Sequence, residues 1–273
     1  MIMKLRNGKS MDFFANHPIF RHEEFTAALT ARGRSPRTAN NLLAWYLASG
    51  RLMRVRRGLY AVVPRGTDPE KAVVDPYLTA SNAAGDAVVA YHAALQFFGK
   101  AHSNWRSFHY LTGRRGRPFS FRGEQFVPIL VPSRLRTLPD WGGGIVEKPH
   151  AGGSVKITTL ERTMVDLLAE PDRGGGWEEI WGSLEMVEFF DLDAIVDYAK
   201  TRGSALTAAR VGFFIEQHRE TLMAEDKHLN GLRTLAPAQP RYFDTSRRPG
   251  KFVSGWNLVV PEYVLHHRWE EPD

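Results

Sequence analysis

The sequence predicts an α+β protein: an N-terminal winged helix-turn-helix followed by a larger mixed α/β domain. Three observations carry this expectation. Two helix-like segments joined by a short glycine-containing turn run directly into a hairpin with an Arg-Arg-Gly tip. From about residue 75 onward, strand-like and helix-like segments alternate without an internal repeat. The charge is also polarised along the chain, and 273 residues are enough for one or two domains.

The elements follow in order. Arg21 to Arg32 sets Phe25, Ala28, Leu29 and Arg32 at helical spacing, with Phe20 before it and Gly33 suited to its end. A second helix opens at Ser35-Pro36, an N-cap followed by proline at the first helical position, and closes at Gly50. Within it Ala39, Leu42, Leu43, Tyr46 and Leu47 form one apolar stripe, and Arg37, Asn40, Asn41 and Ala44 lie on the other face. Leu52 to Val55 and Leu59 to Val63 then read as strands around Arg56-Arg57-Gly58. Proline and charge from Pro64 to Pro76 mark a boundary, dividing a winged-helix domain at 1–70 from a second domain at 75–273. In the second domain Asp86 to Phe98 reads as a helix, Ser107 to Leu111 and Gln125 to Val131 as strands, and Ser154 to Thr158 as a strand entering a helix at Thr159 to Ala169. Trp177 to Phe190, Leu192 to Thr201 and Thr207 to Met223 read as further helices.

A second helix that exposes Arg and Asn near its N-terminus has the geometry of a recognition helix in the major groove. Arg matches guanine O6/N7 and Asn matches adenine N6/N7. The candidate DNA-binding residues are therefore Arg34, Ser35, Arg37, Thr38, Asn40 and Asn41, with Arg56 and Arg57 of the wing set for phosphates or the minor groove. Charge agrees. Residues 1–70 hold 12 Lys+Arg against 5 Asp+Glu, a net +7, and residues 100–136 hold 8 against 1, again +7. Residues 137–273 hold 15 against 22, a net −7. Basic blocks beside an acidic half suit a protein with one face for a polyanion. A helical pair and hairpin used only for packing or protein contacts is the alternative.

Other chemistries find little support. The chain has no cysteine, which removes disulfides, thiolate metal sites and a cysteine nucleophile. The start has basic residues but no apolar export segment, and the apolar run Ala87 to Phe98 is interrupted by His92 and Gln96, so neither export nor membrane spanning is expected. A cytoplasmic location follows. The triple glycines at 142–144 and 174–176 fit neither a P-loop nor GxGxxG. Glu147 and Lys148, set against Asp140, are adjacent on a strand, so they point to opposite faces and cannot line one nuclease metal site. The ten histidines contain no i, i+4 pair, His266 and His267 are neighbours, and there is no GxSxG elbow. No enzyme activity, metal site or cofactor is expected.

Four motifs stand in order: the Arg56-Arg-Gly-Leu-Tyr60 tip, Thr158 to Leu168 (TTLERTMVDLL, with Arg162 and Asp166-Leu167), Ala209 to Glu216 (ARVGFFIE), and Trp256-Asn-Leu-Val-Val-Pro261. Together they resemble the AbiEi antitoxins. The resemblance implies a type IV toxin-antitoxin system. Such a protein represses its own operon through the winged helix and opposes a nucleotidyltransferase-like toxin through the C-terminal domain. The implied partners are promoter DNA with repeated half-sites and that toxin, with no membrane. Read from the residues alone, Leu160, Met164, Leu167 and Leu168 form an apolar helix face, Arg162 and Asp166 a surface or semi-buried i, i+4 pair, and Gly212 a close-packing position. A winged-helix transcription factor whose second domain senses a small ligand is the other function these residues allow.

Overall fold

The computed structural model describes residues 13–269. The basic stretch 1–12, read above as lacking an export segment and as the start of the winged helix, lies outside the described residues, as do 270–273. Contacts divide the chain into two compact units. Among the described residues the first comprises 13–89, 106–129 and 147–157, and the second 90–105, 130–146 and 158–269.

The first unit begins with β1 (Ile19–Arg21), α1 (His22–Thr30), α2 (Pro36–Ala48), β2 (Leu52–Arg56) and β3 (Leu59–Val62). Helix α2 forms where its caps dictate. Ser35 Oγ accepts from Thr38 N at 3.2 Å, Pro36 takes the first turn, and Gly50 adopts φ 67° just beyond the end. Its apolar stripe then closes a core of Phe13, Phe14, Phe20, Phe25, Leu29, Ala39, Leu43, Tyr46, Leu52 and Tyr60, with Ala28, Leu42, Leu47 and Val62 packed against it. Aromatic rings dominate: Phe14 meets Tyr46 edge-on at 4.9 Å and stacks on Phe25 at 5.6 Å. The wing has one strand more than the sequence suggests. Strand β1 pairs antiparallel with β3, giving the order β1-β3-β2, because Ile19 and Phe20 both point into buried space.

The rest of this unit is built on α3 (Pro76–Ser81) and a six-stranded sheet. Its strands are β4 (Val88–Val89), β5 (Ser107–Thr112), β6 (Phe119–Phe121), β7 (Glu124–Leu130), β8 (Ile145–His150) and β9 (Gly153–Thr158), in the order β6-β7-β5-β4-β9-β8. Strand β4 runs antiparallel to β5 and parallel to β9. Residues 64–75 form no regular element, yet Arg122 at the β6–β7 turn donates to the Pro69 and Glu70 carbonyls at 2.6 and 3.1 Å.

The expected helix at Asp86 to Phe98 is corrected. It is instead β4 followed by α4 (His92–Phe97), with Tyr91 at φ 58° between them. Every residue from Ala87 to Leu95 is buried, so the run carries no periodicity, and β-branched Val88 and Val89 enter the sheet.

The second unit holds α4, α5 (Ser133–Arg136), α6 (Leu160–Ala169), α7 (Trp177–Glu185), α8 (Leu192–Arg202), α9 (Ala205–Gln217), α10 (Asp226–Arg233) and α11 (Glu262–Leu265). It also has a small sheet of β10 (Arg241–Tyr242), β12 (Leu258–Pro261) and β11 (Gly250–Val253), in that order. Met164, Val165, Leu167 and Leu168 of α6, Ile195 of α8, and Val211 and Phe214 of α9 are buried. Helix α9 stops at Gln217, short of the Met223 that its apolar pattern suggests. No helix among the described residues is long and apolar enough to cross a membrane.

Candidate nucleic-acid interface

Burying one face of α2 forces the other outward. Arg37, Asn40, Asn41 and Ala44 are all exposed, as are Arg34 and Ser35 in the turn before the helix. Among the described residues no ion pair occupies the guanidinium of Arg34 or Arg37. Asn40 is partly committed, since its Oδ1 lies 2.7 Å from Nε2 of His22 on α1. Ser35 and Thr38 are committed to each other: their hydroxyls are 3.0 Å apart, and Ser35 Oγ also caps the helix. Of the residues singled out on this helix, Arg37 and Asn41 present the most available chemistry. Trp45, 43% exposed, extends the same surface and was not anticipated, because an aromatic near an apolar stripe reads as core.

The wing separates its two arginines. Arg57 is exposed at the tip, beside Gly58 at φ 81°. Arg56 turns into the unit instead: its guanidinium donates to the Ala83 carbonyl and lies 4.4 Å from the centre of the Phe119 ring. The ladder explains why alternation could not foresee this. Register between β2 and β3 shifts between Arg54 and Arg56, so a bulge breaks the period-2 pattern there. Arg54, exposed on β2, is a basic residue of the wing that attention to the tip alone had missed.

Part of the second basic block meets the wing within the first unit. A cleft of about 400 Å³ is lined by Glu23 of α1, Arg56 of β2, Asp86, Tyr110 of β5, and Arg114 and Arg115 of the β5–β6 loop. Asp86 shapes that loop, accepting from Thr112 Oγ1 at 2.7 Å and Gly113 N at 2.9 Å. Burial pushes the Tyr110 phenol up, opposed by the Arg56 charge beside it. Arg114, Arg115 and Arg117 are exposed, so the loop adds positive charge next to the wing rather than a separate site.

The motifs of the second unit are structural in their geometry. Arg162 and Asp166, expected as a surface or semi-buried pair, are each only 1% exposed. The Asp166 carboxylate accepts from Arg162 Nε at 3.3 Å, from Tyr198 OH at 3.0 Å and from Arg202. Arg202 continues to Glu170 at 3.0 Å, which also accepts from Arg173 Nε at 2.7 Å and Tyr91 OH at 3.1 Å. A buried charge needs such partners, and the sequence shows only the i, i+4 pair because Tyr198 and Arg202 come from α8. Arg210 of α9 donates to the Phe243 and Leu168 carbonyls at 2.8 and 2.9 Å. Burial drives its pKa down to about 10, against the opposing charge of Asp244.

A helix pair with a capped, outward-facing second helix and a three-stranded basic wing defines a winged helix-turn-helix module. Residues 9–63 match the family model described as "Transcriptional regulator, AbiEi antitoxin", which bears out the resemblance read from the sequence: this segment is similar to a regulator and antitoxin family. Among solved structures, the chain is similar to the crystal structure of the RV2827C protein from Mycobacterium tuberculosis. That likeness has 17% identity, covers 94% of this chain and 91% of that one, and has a TM-score of 0.56, so it concerns the fold. No curated protein matches the sequence.

Proposed function

We propose that the chain is a DNA-binding antitoxin of a type IV toxin-antitoxin system that represses its own operon and counteracts a nucleotidyltransferase-like toxin. The observation that carries the DNA-binding part is the exposed Arg37 and Asn41 face of α2, set on a helix whose opposite face closes the core, with Arg54 and Arg57 exposed on the adjoining wing. In this reading α2 enters the major groove, Arg37 and Asn41 read base edges, and Arg34, Arg54, Arg57 and the Arg114–Arg117 loop contact phosphates. Promoter DNA with repeated half-sites is the target. The match of residues 9–63 to a regulator and antitoxin family supports the same reading.

The division of labour follows residues 1–70 for DNA, joined there by the Arg114–Arg117 loop, and the remainder of 75–273 for antitoxin action. A winged-helix core whose members all fall between Phe13 and Val62 supports the first part. The net −7 of residues 137–273 disfavours DNA there and suits a partner other than nucleic acid.

The test is fluorescence anisotropy of the full chain on duplex DNA from its own promoter, titrated across salt. Each phosphate contact contributes a slope of about −0.9 in log affinity against log salt, so several contacts give a slope of several units. A flat response overturns the electrostatic reading. For the antitoxin half, co-expression with a nucleotidyltransferase-like gene from the same operon is expected to restore growth that the toxin alone suppresses; unrelieved toxicity overturns it.

A further inference from the structure

Three side chains from three elements of the second unit converge on one small space. Glu185 ends α7, His218 follows α9, and His267 follows α11. One ligand atom from each lies within 4.8 Å of the others. Glu185 Oε1 is 3.0 Å from His218 Nε2 and 3.7 Å from His267 Nδ1. Donors placed 2.0–2.1 Å from a tetrahedral Zn²⁺ stand about 3.3 Å apart, and these separations bracket that value.

The hydrogen bonds on the far side of each ring fix what the near side offers. His218 Nδ1 lies 2.9 Å from the Phe214 carbonyl, which can only accept, so Nδ1 carries the proton. His267 Nε2 lies 3.4 Å from Gln217 Oε1. That amide has a defined orientation: Trp181 Nε1, which can only donate, reaches Oε1 at 3.3 Å, and Gln217 Nε2 donates to the Leu265 carbonyl at 3.3 Å. His267 Nε2 therefore carries the proton as well. A neutral imidazole has one N–H, so His218 Nε2 and His267 Nδ1 turn lone pairs toward a carboxylate oxygen. Such a group of three donors is held together either by a proton between ring and carboxylate or by a cation bound among them. A ligand histidine whose other nitrogen donates to a carbonyl is also the usual outer support of a metal site.

We infer that Glu185, His218 and His267 bind one divalent transition-metal ion of the Zn²⁺ class. Two imidazoles and a carboxylate suit Zn²⁺ better than the all-oxygen preference of Mg²⁺ or Ca²⁺. Water completes the coordination, since Glu185 and His267 are 42% and 38% exposed at the side chain. The ion ties the segment after α11 to the ends of α7 and α9. No local spacing announces the site because its ligands lie far apart in sequence, which is why the histidine pattern alone pointed to no metal. This inference is independent of DNA binding.

The test uses the full chain without an affinity tag, stripped with a chelator and titrated with Zn²⁺ alone by calorimetry at neutral pH. One equivalent is expected to bind, with affinity reduced tenfold or more in Glu185→Gln, His218→Gln and His267→Gln. His267 is exposed, so H267Q leaves the fold intact by circular dichroism even where H218Q does not. Co²⁺ is expected to give the visible absorption of a four-coordinate site and to quench tryptophan emission, since Trp269 lies 6.0 Å from the His267 ring and 6.1 Å from Trp181. Zn²⁺ reverses both. Absence of saturable binding, or undiminished affinity in the H267Q protein, overturns the inference; the cluster is then held by the contacts of Glu185 with the two rings alone.

Discussion

The indole Nε1 of Trp256 donates a hydrogen bond to Glu216 Oε2 at 2.7 Å. That bond joins two of the sequence motifs, ARVGFFIE on α9 and WNLVVP at the closing strand. Arg233 of α10 completes the arrangement, with its guanidinium 5.1 Å from the Trp256 ring centre and paired to Glu216. Asn257, next in sequence, adopts φ 50° and donates to the Pro237 carbonyl at 2.8 Å. Both motifs are thereby explained as fixing α9, α10 and β12 to one another.

The same contact explains Gly212. A Cβ placed there would run into the six-membered ring of Trp256, which is fully buried and has no room to retreat. Gly212→Ala is expected to destabilise the protein by about 1–3 kcal/mol, the usual range for overpacking a core. Urea denaturation measures it. Unchanged stability would show that Trp256 shifts freely, contrary to its burial.

The Asp166 network sets a pH dependence. Burial raises the Glu170 pKa, but the hydrogen bonds and charges of Arg173 and Arg202 outweigh it and hold the carboxyl below its ordinary value. Folding therefore favours ionised Glu170. Its stabilisation is present above the carboxylate's unfolded pKa and is lost as pH falls through the depressed folded value. Glu170→Gln is expected to flatten the acid limb of a stability profile taken from roughly pH 7 down to pH 3. A mutant profile running parallel to wild type would refute this coupling. Asp166→Asn is expected to cost more, about 3–5 kcal/mol, because it leaves Arg162 and Arg202 without their buried counter-charge.

Legibility in the sequence followed the range of the interactions. The winged helix was readable because its signals are local: a Ser-Pro cap, glycines at helix ends, and a stripe of period 3.6. The six-stranded sheet was only partly readable. Strand β4 is two residues long inside a wholly buried run, and β8 alternates weakly, with Glu147 and Lys148 both exposed. On the DNA-facing surface the exposed α2 face followed from helical phase, but the inward turn of Arg56 depends on a bulge and on Ala83 and Phe119, which no local pattern connects to it. Arg162 was seen with Asp166 four residues away but not with Tyr198 or Arg202, whose proximity is tertiary.

Ser35 separates helix formation from readout. Its hydroxyl caps α2 and touches Thr38, so Ser35→Ala is expected to lower stability by about 1 kcal/mol, the typical loss for an N-cap. Base preference on promoter DNA is expected to stay the same. A changed preference with unchanged stability, measured by competition binding alongside denaturation, would make Ser35 a reader instead.

The two wing arginines give the sharpest contrast. Arg57 is exposed at the tip, and in the proposed complex it neutralises a phosphate; Arg57→Ala is expected to reduce the salt slope by about 0.9 and weaken all sequences alike. Arg56 is held by the Ala83 carbonyl and the Phe119 ring, so Arg56→Ala is expected to lower stability while leaving the salt slope unchanged. Arg37→Ala and Asn41→Ala should act differently again, costing roughly 1–3 kcal/mol each on the preferred operator and far less on unrelated duplex. All four variants are compared in one series of salt titrations on operator and non-operator DNA. If Arg56→Ala reduces the slope as Arg57→Ala does, the guanidinium swings out to the backbone on binding, and the inward position describes only the free protein. If Arg37→Ala and Asn41→Ala bind operator as wild type does, α2 is not the reading helix, and the exposed face is left for a protein partner.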